Sequence, residues 1–493
     1  GDPHALCGLL QRTGMNLRFV FKLVGRVELM VAASLLLPLA VALFYGESPW
    51  PFVLTMGLIL CVCAPLARMP AQPVFFQREG FVIVGLIWVV TCLFGSLPFW
   101  FSGCFASFVD CLFEASSGFT TTGATILPDI EALPQGIQFW RCFTHWLGGM
   151  GVLVLATAVF PSLGARSQYL TRAETPGPMV VKLVPKQAKT SKILYGIYCA
   201  MTLAVIALLW GAGMPLYDAA VHAFSIAGTG GFSSRNASFA AYPLPGVDLI
   251  VATATLLFSL NFGLFFLALR RRFREIWRSE ELRFFLAVVA LATVLIAWDL
   301  DPVYHQGALE SLRYAFFHVT SVISTSGFFT EDYALWPHFS QMVLVLLMFC
   351  GSCSSSTGGG IKCARVLILL RILRREVRRI AHPRCVEVIK MDGRVVESST
   401  IRGTLVFLGC YMLILLAAGL IISQDGYSFS ISFSSALASL SNVGPGLELV
   451  GPTGNFSLLS PLSKVTMSLC MVTGRLEIFP ILVLFSRAVW RHT

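Results

Sequence analysis

Four short stretches combine small hydroxyl side chains with glycine: Thr120-Thr121-Thr122-Gly123, Gly228-Thr229-Gly230-Gly231, Ser324-Thr325-Ser326-Gly327 and Ser441-Asn442-Val443-Gly444. Their final glycines are 108, 96 and 117 residues apart. Two positions before the glycine stand Thr121, Thr229, Thr325 and Asn442; nine before it stand Glu114, His222, His318 and Ser435. Thirteen before it, Asp110 and Asp218 match. The chemistry such stretches suit is coordination of a dehydrated cation by stacked backbone carbonyls. Short side chains let several loops approach one axis, and glycine leaves no Cβ in the lumen. Residues 107–118, 217–227, 309–322 and 428–440 are each too short to span a bilayer and suit half-helices. Their negative C-terminal ends would face the cation. A single stretch of this kind reads as an ordinary external loop. Four, each behind a short apolar helix and between two spans, do not. Non-helical backbone at membrane depth persists only where protein buries it or water lines it.

The elements that must position these stretches are membrane spans. The 493 residues are 56% hydrophobic and 13% charged, against roughly 25% charged in soluble domains. Two leading helices are expected near 24–45 and 52–67. Four pairs come after them, 81–102 with 137–160, 193–212 with 245–269, 284–300 with 338–370, and 403–423 with 460–486. The predicted fold is therefore an all-α polytopic membrane protein of about ten helices. Four degenerate repeats of helix, pore helix, filter loop and helix surround one pore. The expected division is a tail at 1–16, the leading helices at 17–78, and repeats at 79–165, 166–270, 271–380 and 381–493. Residues 1–14 do not resemble the rest of the chain and Met15 suits a natural start, so the tail is expected to be an appended segment. No cleavable signal peptide is evident.

Charge gives the expected orientation. Arg and Lys crowd the connections 166–192, 270–283 and 362–402, whereas 103–136, 213–244, 301–337 and 424–459 hold only Arg235 and Arg313 beside 11 Asp or Glu. The positive-inside rule places the basic connections and both termini in the cytoplasm. The net charge of +10 then reflects topology, and no nucleic-acid partner is expected. The basic loops also suit membrane lipid or a docking partner.

Three further features carry information. Residues 350–360 interrupt the apolar run 338–370, and the glycines Gly358, Gly359 and Gly360 disfavour helix by about 1 kcal/mol each. Arg475 lies mid-span, where arginine faces a cavity or a partner. Lys464 sits near the end of the same span and reads as interfacial, and Glu477, two residues from Arg475, is off its helix face. Most of the 14 cysteines fall in apolar runs and read as small buried hydrophobes. Cys104 and Cys111 are expected as free thiols, with a disulfide between them outside the membrane as the alternative, and Cys350 and Cys353 lack the further ligands that a zinc site needs. No His-Glu-x-x-His zinc motif or convincing Ser–His dyad occurs, so an enzyme is not expected. No dinucleotide fingerprint within a βαβ pattern occurs either, and no organic cofactor is expected.

Together these residues resemble the Trk/Ktr/HKT superfamily of potassium transporters, most closely its TrkH-type bacterial members. The resemblance runs from about Leu17 onward. It is carried by 114–125, 227–236, 351–362 (Gly-Ser-Cys-Ser-Ser-Ser-Thr-Gly-Gly-Gly-Ile-Lys) and 474–480 (Gly-Arg-Leu-Glu-Ile-Phe-Pro). It implies potassium uptake across the bacterial cytoplasmic (inner) membrane, with K+ held at the sixteen loop residues named above. Gly123, Gly231, Gly327 and Gly444 would form the constriction. Plant relatives with serine at the first of these favour sodium. The fourth loop departs furthest from the others. The resemblance further implies an intramembrane gate built from Gly351, Ser352, Thr357, Gly358, Gly359, Gly360 and Lys362, with Arg475 on the pore wall below the filter. The implied partners are a second copy, as a homodimer, and a cytosolic ring of NAD/ATP-binding TrkA-like regulatory subunits. An ion-coupled (H+ or Na+) symporter or a sodium-permeable transporter of the same fold is the alternative. Four repeats running in one sense favour a channel-like pore, since alternating-access transporters more often show inverted repeats.

Overall fold

Apolar runs bounded by Asn, Ser and Pro become helices, and the small-residue stretches stay non-helical. The computed structural model describes residues 16–70, 77–151, 187–244, 246–304, 307–383 and 387–486. The leading helices are α1 (Leu17–Ser34), α2 (Leu36–Phe44) and α3 (Trp50–Arg68). The first unit holds α4 (Gln77–Gly95), α5 (Leu97–Ser102), the short helix α6 (Phe108–Phe119) and α7 (Gln135–Gly149). The second holds α8 (Gln187–Gly211), the short helix α9 (Leu216–Gly228), α10 (Val247–Phe258) and α11 (Phe262–Leu269). After a connector, α12 (Phe273–Arg278), come α13 (Glu280–Tyr304), the short helix α14 (Ala308–Ile323), α15 (His338–Cys350) and α16 (Cys363–Ala381). A hairpin of β1 (Lys390–Met391) and β2 (Arg394–Val395) leads to α17 (Ser398–Ile422), the short helix α18 (Phe429–Leu440), α19 (Pro461–Arg475) and α20 (Phe479–Phe485).

The chain is a polytopic helical membrane protein. Six stretches among the described residues are long and apolar enough to cross a bilayer: Leu17–Phe44, Trp50–Arg68, Glu79–Ser102, Ser191–Gly211, Glu280–Asp301 and Ser398–Asp425. They are the two leading spans and the first span of each expected pair. Large apolar side chains such as Leu203, Trp210, Leu413 and Leu420 stand exposed along them, as helices bathed in lipid require.

The second span of each pair is different. The helix expected over 137–160 is α7 as far as Gly149, and residues 152–160 lie outside the described residues. The same holds for most of the basic connection 166–192, and for the tail 1–14. The span expected over 245–269 is two helices, α10 and α11, meeting at 94°. Asn261 explains the break, because its side chain accepts the Gly263 N–H and starts α11 afresh. The span expected over 460–486 is likewise two helices. Glu477 and Ile478 take positive φ values of 55° and 70°, and Pro480 begins α20 where its missing N–H costs nothing.

Each second span packs on the short helix of the following unit: α7 on α9, α10 on α14, α15 on α18, and α19 back on α6. That order closes a circle. The leading helices stay outside it, α1 packing on α3 and α4.

Candidate functional site

The four short helices end in the same way. The residue two before each glycine is left-handed, with φ of 56° at Thr121, 55° at Thr229, 62° at Thr325 and 57° at Asn442. Its N–H donates to the carbonyl three residues back: Gly118, Ile226, Val322 and Ser439. The next N–H donates five residues back, Thr122 to Ser117 at 2.9 Å, Gly230 to Ser225 at 2.8 Å, Ser326 to Ser321 at 2.8 Å and Val443 to Ala438 at 2.9 Å. This is the paired helix cap in which glycine usually takes the left-handed place. Threonine there costs on the order of 1 kcal/mol or more, and strain of this kind persists where surroundings over-determine it, often at functional sites. Asn442 fits the same geometry more easily, since asparagine tolerates left-handed backbone.

The caps turn the chain into a closed ring of glycines. A Cβ on Gly123 would lie 2.6 Å from the Gly231 Cα, and one on Gly231 would lie 2.5 Å from the Ser326 oxygen. On Gly327 it would lie 2.6 Å from the Pro445 Cδ, and on Gly444 it would lie 2.5 Å from the Thr122 oxygen. Real Cβ contacts are essentially never that short, so none of these four glycines has room for a side chain. The carbonyl oxygens of Thr122, Ser326 and Val443 stand beside the glycine of an adjacent loop and so line the ring. Hydroxyls brace it from within: Thr120 with Thr122 and Ser324 with Ser326, both at 2.8 Å. Asn442 Nδ2 donates to Thr122 Oγ1 at 3.0 Å and to Met471 O at 2.9 Å, tying the fourth loop to the first and to α19. Fourteen of the sixteen predicted loop residues are buried, and Gly123 and Gly231 are half-buried. On one side the ring opens into a cleft lined by Gly123, Gly231, Gly327, Pro445, Arg141 and Arg235.

Three of the residues nine before each glycine are braces, while the buried Ser435 hydroxyl has no hydrogen-bond partner among the described residues. Glu114 accepts from Thr125 Oγ1 and Ile126 N and pairs with Arg141 at 2.5 Å. His222 spans from Asp218 O to Ser233 Oγ, and His318 from Tyr314 O to Glu331 O. Each fastens a short helix to the segment leaving the ring. Sequence reasoning missed two more. Arg141 also donates to Ser233 O at 3.1 Å and lies over the Phe232 ring at 3.7 Å. His145 has Nδ1 2.7 Å from Gly118 O and Nε2 3.3 Å from Phe232 N. A carbonyl only accepts and an amide only donates, so the ring is the neutral tautomer protonated on Nδ1. Outside the ring Asn236 Nδ2 donates to Asp129 at 2.8 Å, which with backbone amides holds that carboxyl below its ordinary range.

Against the opposite side of the ring lies the glycine-rich segment 351–362. A Cβ on Gly358 would sit 2.7 Å from the Ser324 oxygen, and one on Gly359 would sit 2.9 Å from the Asn442 Cβ. Gly359 N donates to Thr325 Oγ1 at 2.7 Å. The broken α10–α11 span receives the rest. Cys353 N donates to Ser259 O, Thr357 Oγ1 to Phe258 O, and Phe262 N to Ser355 O. Glu281 of α13 accepts from Ser354 N at 2.6 Å. Inside the loop the Lys362 ammonium donates to Ser352 Oγ and Gly358 O. Backbone freed by each helix break is thus satisfied by the other.

Arg475 joins this loop to the first unit. Its guanidinium donates to Thr357 O at 2.5 Å and to Gly148 O and Gly149 O at 2.6 Å. Lys464, in the first turn of α19, is buried and pairs with Asp110 at 2.7 Å, joining α19 to α6. Glu477 meets Arg365 of α16 at 2.5 Å. These pairs link positions 354 and 112 residues apart, so spacing along the chain gave no sign of them.

The arrangement brings backbone oxygens of neighbouring loops to one ring of glycines, with a polar segment against one side and a guanidinium bonded to it. That can dehydrate and pass a small cation. A sequence model of the family described as TrkH, cation transport protein, matches residues 54–491. The chain is 37% identical over 489 residues to the Trk system potassium uptake protein TrkH of Salmonella typhimurium, covering 97% of this chain and 100% of that one. It is 34% identical over 485 residues to TrkG of Escherichia coli, another Trk system potassium uptake protein, with 97% and 99% covered. The crystal structure of the potassium transporter TrkH from Vibrio parahaemolyticus superposes with a TM-score of 0.87 at 32% identity, covering 97% of this chain and 100% of that one.

Proposed function

The chain belongs to the TrkH family of cation transport proteins, and from that premise we propose that it takes up potassium across the bacterial cytoplasmic membrane through the four-loop ring. The observation that carries this reading is the cyclic contact of Gly123, Gly231, Gly327 and Gly444. Backbone oxygens replace the hydration shell of the ion there, and the four capped helices aim their negative ends at it. The left-handed caps and the braces at Glu114, His222 and His318 keep those oxygens in place before the ion arrives. The site is therefore pre-organised for a dehydrated cation.

The glycine-rich loop acts as the gate. It bears on the inner mouth of the ring at Ser324, Thr325, Ser441 and Asn442, and its polar contacts come from elements of several units. Arg475 holds it shut and adds an electrostatic barrier. Two unit charges about 6 Å apart repel by roughly 3 kcal/mol at an effective dielectric constant near 20. The basic connections, with both termini, face the cytoplasm. There they dock a TrkA-like ring of nucleotide-binding subunits, and the membrane chain works as a homodimer. The relatives are named as parts of a Trk system, which supports a separate regulatory component.

The test is potassium flux into liposomes holding the purified chain, with sodium in parallel. Potassium-selective flux that rises when loop contacts are removed supports the reading. Equal movement of both ions, or strict dependence on a proton gradient, contradicts it.

A further inference from the structure

The neck of the glycine-rich loop holds two thiols that neither the ring nor the gate contacts use. Cys350 ends α15 and Cys363 begins α16, and their Sγ atoms are 3.6 Å apart. The backbone pinches the loop shut between them. Ile361 N donates to Phe349 O, Cys363 N to Ser352 O, and Cys363 Sγ to Gly351 O at 3.3 Å. A Cβ on Gly351 would lie 2.8 Å from the Gly360 Cα, so only glycines allow so close a neck. Cys350 is part-exposed, while Cys363 is fully buried. Two thiols in contact, one part-exposed on the protein and one buried, are paired as a reactive cysteine and its resolving partner are.

We propose that Cys350 and Cys363 form an oxidisable dithiol across the neck of the gate loop, and that their disulfide locks the loop in its closed seat. The inference rests on the reading of this loop as the gate. A peroxide is the oxidant. The Cys350 thiolate attacks one peroxide oxygen, the O–O bond breaks, and hydroxide leaves, giving a sulfenic acid at Cys350. The Cys363 sulfur then displaces that hydroxyl, which departs as water with the Cys363 proton. In sum, two thiols and one hydrogen peroxide give one disulfide and two waters. Closure needs the sulfurs to approach from 3.6 Å to about 2.05 Å, a side-chain rotation in a neck already held by backbone bonds. A thiol reductant reverses it by exchange.

The fixed neck matters because loop withdrawal must part Gly351 from Gly360. With the ends joined, the contacts to Thr325 and Arg475 can no longer be given up one after another.

The experiment treats the full chain in liposomes with hydrogen peroxide and reads two quantities. One is the 350–363 disulfide-linked peptide by mass spectrometry without reductant. The other is potassium flux before and after dithiothreitol. The expected result is the linked peptide together with an approximately tenfold loss of flux, the scale of a tenfold shift in open population, restored by dithiothreitol. Cys350→Ser and Cys363→Ser lose both responses, whereas Cys353→Ser keeps them. Absence of the linked peptide overturns the proposal, as does equal flux loss in Cys350→Ser. A linked peptide with unchanged flux also overturns it. In that case, raised flux in Arg475→Ala would leave the gate reading standing, and unraised flux there would defeat the gate reading itself.

Discussion

The four-loop ring and the glycine-rich loop against it use the same residue types, yet they are held by opposite means. Ring backbone is fixed locally, each cap bonding within five residues of its own helix, and neighbouring loops interlock through glycines with no room for a Cβ. The glycine-rich loop, besides its internal bonds, is held by bonds from afar, from Phe258, Ser259, Glu281, Thr325 and Arg475. Local bonds survive when helices shift. Remote bonds are exchanged when they do. That contrast supports the proposed roles of a ring that stays still and a loop that leaves.

Substitutions that fill the ring should have the largest effect. Gly123 has φ of 81°, so Gly123→Ser combines left-handed strain with an overlap against Gly231. Strain of about 1–3 kcal/mol predicts a fall of about fivefold to a hundredfold in the potassium-to-sodium permeability ratio in a folded variant. An unchanged ratio, read from bi-ionic potentials, would remove Gly123 from the constriction.

Next in size is release of the loop. Arg475→Ala removes three charge-assisted bonds to Thr357, Gly148 and Gly149, each worth about 1.5–3 kcal/mol. Basal potassium flux should rise by roughly tenfold or more with the permeability ratio kept, and the thermal midpoint in detergent should fall. A lower midpoint without added flux would leave Arg475 as a packing residue only. Glu281→Gln keeps the acceptor oxygen for Ser354 N but removes the charge, so flux should rise only about two- to threefold, as a loss near 0.5 kcal/mol implies. Flux assayed per folded molecule checks this.

The smallest effects separate the two regions at equivalent positions. Thr121→Gly relieves a left-handed threonine whose hydroxyl has no hydrogen-bond partner among the described residues. It should raise stability by about 1 kcal/mol and leave gating alone. Thr325→Gly relieves the same strain but removes the acceptor for Gly359 N, so basal flux should rise. Melting curves paired with flux distinguish them, and identical behaviour of both variants would erase the proposed division of labour.

Much of this was legible in the sequence because the repeats carry their own local signals. The short helices end within a residue or two of where small residues and glycine succeed an apolar run, and the six long spans stand where hydropathy places them. The missed features are those that depend on distant partners. Asn261 and Gly263 interrupt an otherwise apolar run, and the Asn261 cap is the local sign of the α10–α11 break. The Lys464–Asp110 pair was not legible because Asp110 lies in a different unit, and nothing in the local sequence joins them. Arg141 and His145 sit on an apolar helix, where their types suggested neither the Glu114 pair nor the bond to Phe232.

The most direct test of the central claim is the reversal potential of the purified chain in planar bilayers or liposomes under opposed potassium and sodium gradients, with Gly123→Ser alongside. The account predicts a wild-type potential close to the potassium equilibrium value and a shift toward the sodium value in the variant. A wild-type potential midway between the two, unmoved by the substitution, would contradict a selective ring formed by these four loops.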